Sequence, residues 1–471
     1  MSLRLITFKF SFVFKTRAFE HHSGQQIPIF AREPIFGFWV LVLTYFFVYK
    51  FPILQERIFY LLINFWWLFL PIIISRPAWE WWKQYWELRF AKKIYDDLIF
   101  LRVQLPPEVE RTPKGMEQVF AGLHGMTRSF IRYTDRVFFR IRPEWISFEL
   151  VGVGGALHFI IACEKRRRDF VESHIYSQYP DSKIEEVADY TQAIPANAPN
   201  DEWKMWAVQY VLEQQDYWIL QTYKDTELDK ESEAGRKVDP MAQWAETCAS
   251  LKPGEQIWIQ MVVSPRVSDA WFDHAKDIRT SFDKGESGKL KQSNTLEEVF
   301  AGLGNFFRIV AGKEAEDAKK EERQTRYYLS EIEKLIVKQF GSKLTYPMYD
   351  VNMRAVYWGS SEVYDRGRDS AINGFFRPFD DYTNNNIRMD NRTRIRNRYF
   401  PQVFPKYRLD KKARRILWTY KVRYLTMSLG FRLNTTELAS IYHFPGREAA
   451  SGAIKRLPFK QAQPPTDLPI V

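Results

Sequence analysis

Residues 144–163 read EWISFELVGVGGALHFIIAC. Glu144–Val151 and Ala156–Cys163 are rich in β-branched and aromatic residues, and Gly152–Gly155 joins them. Two such runs around a glycine-rich connector predict a β-hairpin. Working outward, Leu98–Leu105 reads as a strand closed by Pro106 and Pro107. Thr112 is a good N-cap with Pro113 at the first helical position. Met116, Val119, Phe120, Leu123, Met126 and Phe130 then form an apolar helical stripe. After the hairpin, Lys165–Gln178 carries Phe170, Val171 and Ile175 at helical spacing, and Lys183–Ala188 closes the unit as a strand. The order is β-α-β-β-α-β, so residues 98–190 are expected to form a split-βαβ, ferredoxin-like domain.

Residues 191–202 (TQAIPANAPNDE) read as a linker. A second α+β unit is expected over 203–380, with strands near Trp206–Leu212, Tyr217–Tyr223, Gln256–Ser264 and Leu344–Trp358. A helix is expected at Pro240–Leu251, a helical insertion at 267–341, and a closing helix at Ser360–Phe379. Glu117-Gln118-VFAGL recurs as Glu297-Glu298-VFAGL, which fits either a duplicated unit or two helices solving one packing problem.

Upstream, Ile35–Tyr49 and Ile58–Ser75 are uncharged apolar runs separated by a connector holding Lys50, Pro52, Glu56 and Arg57. A membrane-crossing helix needs about 17–25 residues, so both runs sit near the short limit. The expectation is a transmembrane helical hairpin over 34–76; a buried hairpin and a loop dipping into one leaflet are the alternatives. Five cations in residues 1–33 and five in 76–93, against two in the connector, would place both termini and the soluble domains in the cytoplasm, at the inner membrane. Residues 1–33 include an alternating, strand-like arm, and 77–97 an interfacial helix in which Trp79, Trp81, Trp82 and Trp86 would meet the lipid headgroups. The overall expectation is an α+β chain: transmembrane hairpin, tandem split-βαβ domains with a helical insertion, and a basic C-terminal tail over 381–471.

The chain has 68 Lys and Arg against 57 Asp and Glu, a net charge of +11. Residues 388–423 hold nine Arg and four Lys against Asp390 and Asp410, which accounts for the whole excess. Two distant cysteines, Cys163 and Cys248, exclude a disulfide framework and fit a reducing compartment. Gly285-Glu-Ser-Gly-Lys289 lacks the first glycine of a phosphate-binding Walker loop. None of the seven histidines forms H-x-x-x-H, and His443 reads as a packed or capping residue. No catalytic residue, metal site or cofactor is expected. The basic stretch is the binding candidate: Arg388, Arg392, Arg394, Arg396, Arg398, Lys406, Arg408, Lys411, Lys412, Arg414 and Arg415, interleaved with Tyr399, Phe400 and Trp418. Cations on phosphates release counterions and aromatics stack on bases, which fits a nucleic acid such as DNA; an acidic protein or anionic lipid would suit the same charge, and a merely solvated basic face is the third reading.

LPPEVERTPKGMEQVFAGLHG (105–125), residues 148–191 and DPMAQWAETCASLKPGEQIWIQMVV (239–263) resemble the region preceding the motor in bacterial type IV secretion-like ATPases of the HerA/FtsK class. LNTTELASIYHFP (433–445) and PPTDLP (464–469) look like the stretch leading into the ATPase core of that family. The resemblance implies an adaptor half of a conjugation-like transfer machine, partnered with a separately encoded HerA/FtsK-like or secretion ATPase and with the lipid bilayer, DNA or further copies of itself as other partners. With the chain ending at Val471 and no Walker residues present, it does not imply ATP hydrolysis.

Overall fold

The computed structural model describes residues 98–106, 112–126, 143–195, 198–226, 239–266, 270–283, 331–391, 393–394, 405–426, 430–446 and 454, with scattered positions in 60–97 and 134–138. The chain divides into two compact units.

The larger unit is built on one antiparallel sheet. Its elements run β1 (Leu98–Gln104), α1 (Pro113–Leu123), β2 (Ile146–Val153), β3 (Ala156–Glu164), α2 (Arg168–Gln178), β4 (Lys183–Val187), β5 (Trp203–Leu212), α3 (Pro240–Ala249) and β6 (Glu255–Arg266). After the second unit they continue as β7 (Met348–Ser360), α6 (Arg368–Phe376), β8 (Ile387–Met389), α7 (Pro405–Lys421), β9 (Phe431–Asn434) and α8 (Thr435–Ile441). The strand order is β4-β1-β3-β2-β6-β7-β5-β8, with β9 also paired to β7. Each run of four strands therefore repeats one arrangement, and the two runs meet where β2 pairs antiparallel with β6, Glu149 opposite Gln260.

The β2–β3 hairpin turns through Gly154 and Gly155 at φ +58° and +76°. Val153 faces Ala156, so the loop has two residues, and a tight turn of this hand requires positive φ at both. The central strands are buried on both faces. Ile257, Ile259, Met261 and Val263 of β6 join one core, as do Met353, Ala355 and Tyr357 of β7. The alternate residues Trp258, Val356 and Trp358 join a second core on the other face. This is the two-residue period of a pleated strand. The second core is closed by Ile194, Ala198 and the inner face of α7.

The smaller unit comprises Tyr217–Ile219 and Val267–Tyr346. Its described helices are α4 (Ala270–Asp283) and α5 (Glu331–Thr345). Tyr217 stacks on Trp271 at 5.1 Å between ring centres, and Lys343 Nζ donates to the Trp218 carbonyl at 3.1 Å.

Several expectations are corrected. The transmembrane hairpin over 34–76 falls mostly outside the described residues, and among the described residues no helix is long and apolar enough to cross a membrane. The 15- and 18-residue runs, separated by Pro52 and three charges, lie below and near the lower edge of the about 17–25 residues that a bilayer core demands. The two split-βαβ halves are not separate domains in tandem: their strands join in one nine-stranded antiparallel sheet. Tyr217–Tyr223 is not a strand. Part of its backbone bonds to side chains instead, Leu220 N–H to Glu437 at 2.9 Å and Tyr223 N–H to Ser440 Oγ at 2.9 Å. Within 381–471, β8, α7, β9 and α8 belong to the larger unit. The recurrence at Glu297 and the arm over 1–33 lie outside the described residues.

Candidate nucleic-acid interface

α7 begins at Pro405, whose fixed φ suits a first helical turn. Ala413, Ile416, Leu417 and Tyr420 recur at helical spacing and are buried in the second core against Phe100, Ile160 and Trp258. That leaves Tyr407, Arg408, Lys411, Arg414 and Arg415 exposed on the outer side, Tyr407 at 67 %. At 1.5 Å rise per residue the cations from 408 to 415 span about 10 Å. None of these four meets a carboxylate within salt-bridge distance among the described residues, so their charge is offered to solvent. Lys412 is half-buried and Trp418 packs on Tyr424, ring centres 6.1 Å apart.

The other basic candidates separate into two groups. Arg388 of β8 approaches Glu213 at 3.8 Å and Arg394 approaches Asp369 at 3.8 Å, so their charge is partly neutralised. Arg392, Arg396, Arg398, Tyr399 and Phe400 lie outside the described residues, as does the side chain of Lys406. The tryptophans expected at a headgroup layer each have helical backbone. Trp79, Trp81 and Trp82 are exposed and Trp86 is half-buried. Trp82 Nε1 donates to the Phe138 carbonyl at 3.1 Å, and Arg89 lies over the Trp86 ring at 5.6 Å.

The position of α7 is set by a residue the basic stretch conceals. Arg423, two residues past the helix, is fully buried at φ +52°. Its Nη1 and Nη2 donate to the two Asp189 carboxylate oxygens at 2.8 and 2.9 Å, and its Nε donates to Glu149 at 3.0 Å. The guanidinium lies 4.4 Å from the Phe100 ring centre. Planar bidentate geometry of this kind suits arginine and not lysine. A non-glycine residue in the left-handed region costs about 1–2 kcal/mol, and here the fixed carboxylates hold it there.

Glu149 is itself part of a polar row across the sheet, in register with Gln260 of β6, which faces Arg354 of β7. Gln260 Nε2 donates to Glu149 at 3.0 Å and to the Tyr420 carbonyl at 3.0 Å. Arg354 donates to Gln260 Oε1 at 2.9 Å and to the Tyr424 carbonyl at 2.5 Å. Tyr190 donates to Glu149 at 2.7 Å, and Ser147 does the same at 2.7 Å. Two arginines and two carboxylates balance the buried charge. The row spans the β2–β6 junction and docks the chain leaving α7, so it ties the helix to both halves of the sheet.

The electrostatics follow. Burial raises the Asp189 carboxyl, but the hydrogen bonds and charge of Arg423 outweigh it and hold it below its ordinary value. Burial pulls Arg423 down, yet Glu149 and Asp189 hold it well above the usual arginine value. Burial lowers Arg354 to about 10, still charged at neutral pH. Asp189 and the two arginines keep their charges across the neutral range, and the network acts as a mount. Burial pushes both thiols, Cys163 and Cys248, up to about 12, which makes them poor nucleophiles. Among the described residues, no group of three or more His, Cys, Asp or Glu side chains could hold a metal ion.

The sequence reading missed Arg423, Glu149, Gln260, Arg354 and Asp189. One signal was present: Glu149 and Gln260 each interrupt an otherwise apolar strand, the mark of a charge or amide that must find a buried partner. No protein-family model matches the chain, and no curated protein matches it.

Proposed function

We propose that this chain is a non-catalytic binding scaffold that holds the phosphate backbone of a nucleic acid along α7. The observation supporting the reading is the set of Arg408, Lys411, Arg414 and Arg415, exposed on one helix face whose opposite face is locked in the core. Surface cations are ordinarily interspersed with acids. Here Asp410 is the single acid in the 17-residue helix. A rigid mount lets such cations bind without the entropy of ordering a flexible tail. Exposed Tyr407 adds a ring on which a base can stack, a contact worth about 1–3 kcal/mol. The resemblance to the region before the motor of HerA/FtsK-class transfer ATPases suggests the setting, DNA moved by a separately encoded ATPase to which this chain would dock.

Fluorescence anisotropy of the full chain with labelled mixed-sequence single-stranded and duplex oligonucleotides, titrated with salt, tests the reading. Four phosphate contacts predict a log–log salt slope of about −3.6 on duplex and about −2.8 on single strands. The quadruple variant Arg408→Ala, Lys411→Ala, Arg414→Ala, Arg415→Ala should lose most of that slope. A slope near zero for the native chain, or equal binding by the variant, rejects the proposal.

A further inference from the structure

His443 lies beyond the end of α8, 1 % exposed, and neither ring nitrogen faces solvent. Nδ1 stands 2.9 Å from the Ala439 carbonyl and Nε2 stands 3.1 Å from Asp239 Oδ1. Both neighbours are acceptors only. A neutral imidazole has one N–H and one lone pair, so it satisfies one and turns its lone pair on the other. Only the imidazolium satisfies both. Asp239 has a second duty: as N-cap of α3 its Oδ1 accepts the Met241 N–H at 2.7 Å. One carboxylate oxygen therefore joins the start of α3 to the chain leaving α8.

We infer that His443 and Asp239 form a pH-sensitive latch, closed when the imidazole is protonated, which sets how firmly the β9–α8 segment is held against α3. Ser440 Oγ accepts the Tyr223 N–H at 2.9 Å, a tie that does not titrate in this range. Tyr442 and Phe444 pack edge-on against Phe148, Phe159 and Tyr179, at ring-centre distances of 5.1, 6.0, 5.2 and 4.9 Å, contacts that no pH change alters. Among the described groups, Asp239 is the charge that acts on His443. The Lys224–Glu117 pair, 3.1 Å apart, sits at the opposite end of α8 beside Thr436. Glu437 is committed there to the Leu220 and Asn434 N–H groups.

The directions agree with the geometry. Burial pulls the imidazolium down, but the Asp239 charge and hydrogen bond, with the Ala439 and Ser440 carbonyls, outweigh it and raise the histidine above 6.5. Burial raises Asp239, and the His443 charge and hydrogen bond overcome it to leave the carboxyl lowered. A raised histidine contributes stability that is complete below its unfolded value and is lost as pH rises through the folded one. A lowered carboxyl contributes stability that is lost as pH falls through its folded value. The latch is closed between the two and opens on the alkaline side.

Amide hydrogen exchange of the full chain between pH 5 and pH 9, corrected for intrinsic rates, reads the latch directly. Peptides covering 434–445 and 239–249 should lose protection as pH rises, on the order of tenfold for each unit by which folding raises the histidine. The outer strands β1 and β4 should not follow. His443→Gln keeps a neutral donor and should remove the pH dependence; Asp239→Asn, which keeps the α3 cap, should remove it independently if the first variant folds poorly. Unchanged native protection at 434–445 across that range overturns the inference, and so does persistence of the pH dependence in either variant. Neither outcome bears on oligonucleotide binding by α7.

Discussion

Replacing Arg423 with methionine isolates the mount of α7. The change removes a fully buried guanidinium and leaves Glu149 and Asp189, both buried, without their counter-charge. Breaking one side of a buried ion pair costs about 3–5 kcal/mol, because an uncompensated charge stays in the interior. The donation from Arg423 Nη1 to the Lys421 carbonyl at 2.6 Å disappears too. The backbone strain at φ +52° is not relieved, since methionine also carries a Cβ. In a unit of this size about 3–5 kcal/mol corresponds to a fall in Tm of roughly 6–20 °C, which differential scanning calorimetry at pH 7 reads easily. The pH dependence identifies the cause. In the native chain Asp189 is held low, so its contribution is present at neutral pH and is lost only as pH falls through that depressed value. In the variant Asp189 loses the hydrogen bonds and charge of Arg423, leaving burial opposed mainly by the Thr191 bonds, so its carboxyl protonates at higher pH than in the native chain and the deficit narrows as pH falls. Adding Glu149→Gln and Asp189→Asn should recover part of the loss at pH 7. A Tm within about 2 °C of native, or a deficit independent of pH, refutes the network as the mount.

Two smaller predictions concern the hairpin and the thiols. A Cβ at Gly152 would stand 2.7 Å from Cys248 Sγ, so Gly152→Ala should destabilise by about 1–3 kcal/mol through overpacking. At Gly154 a Cβ meets nothing within 4 Å but φ is +58°, so Gly154→Ala should cost about 1–2 kcal/mol through the backbone alone; urea midpoints distinguish the two, and a neutral Gly152→Ala would contradict the packing. Cys163 and Cys248, buried and pushed up to about 12, should resist a thiol-specific disulfide reagent at pH 8 until denaturant is added. Rapid labelling of the native chain would contradict their burial.

The amino-acid sequence by itself determines the local elements. The apolar run of β1, closed by Pro106 and Pro107, and the glycine pair at 154–155 need only near neighbours to act, and so does the proline-initiated α1. So does the basic stripe of α7, because helical spacing separates its cations from Ala413, Ile416 and Leu417. What the sequence could not separate was Arg423 from the twelve other cations of residues 388–423. Its role depends on Glu149 and Asp189, 274 and 234 residues away. Only tertiary structure decides such pairings, because a buried charge is tolerated solely where distant strands bring an opposite charge within hydrogen-bond reach. The join of β2 to β6, the polar row across it and the seating of α7 above it are products of that long-range constraint.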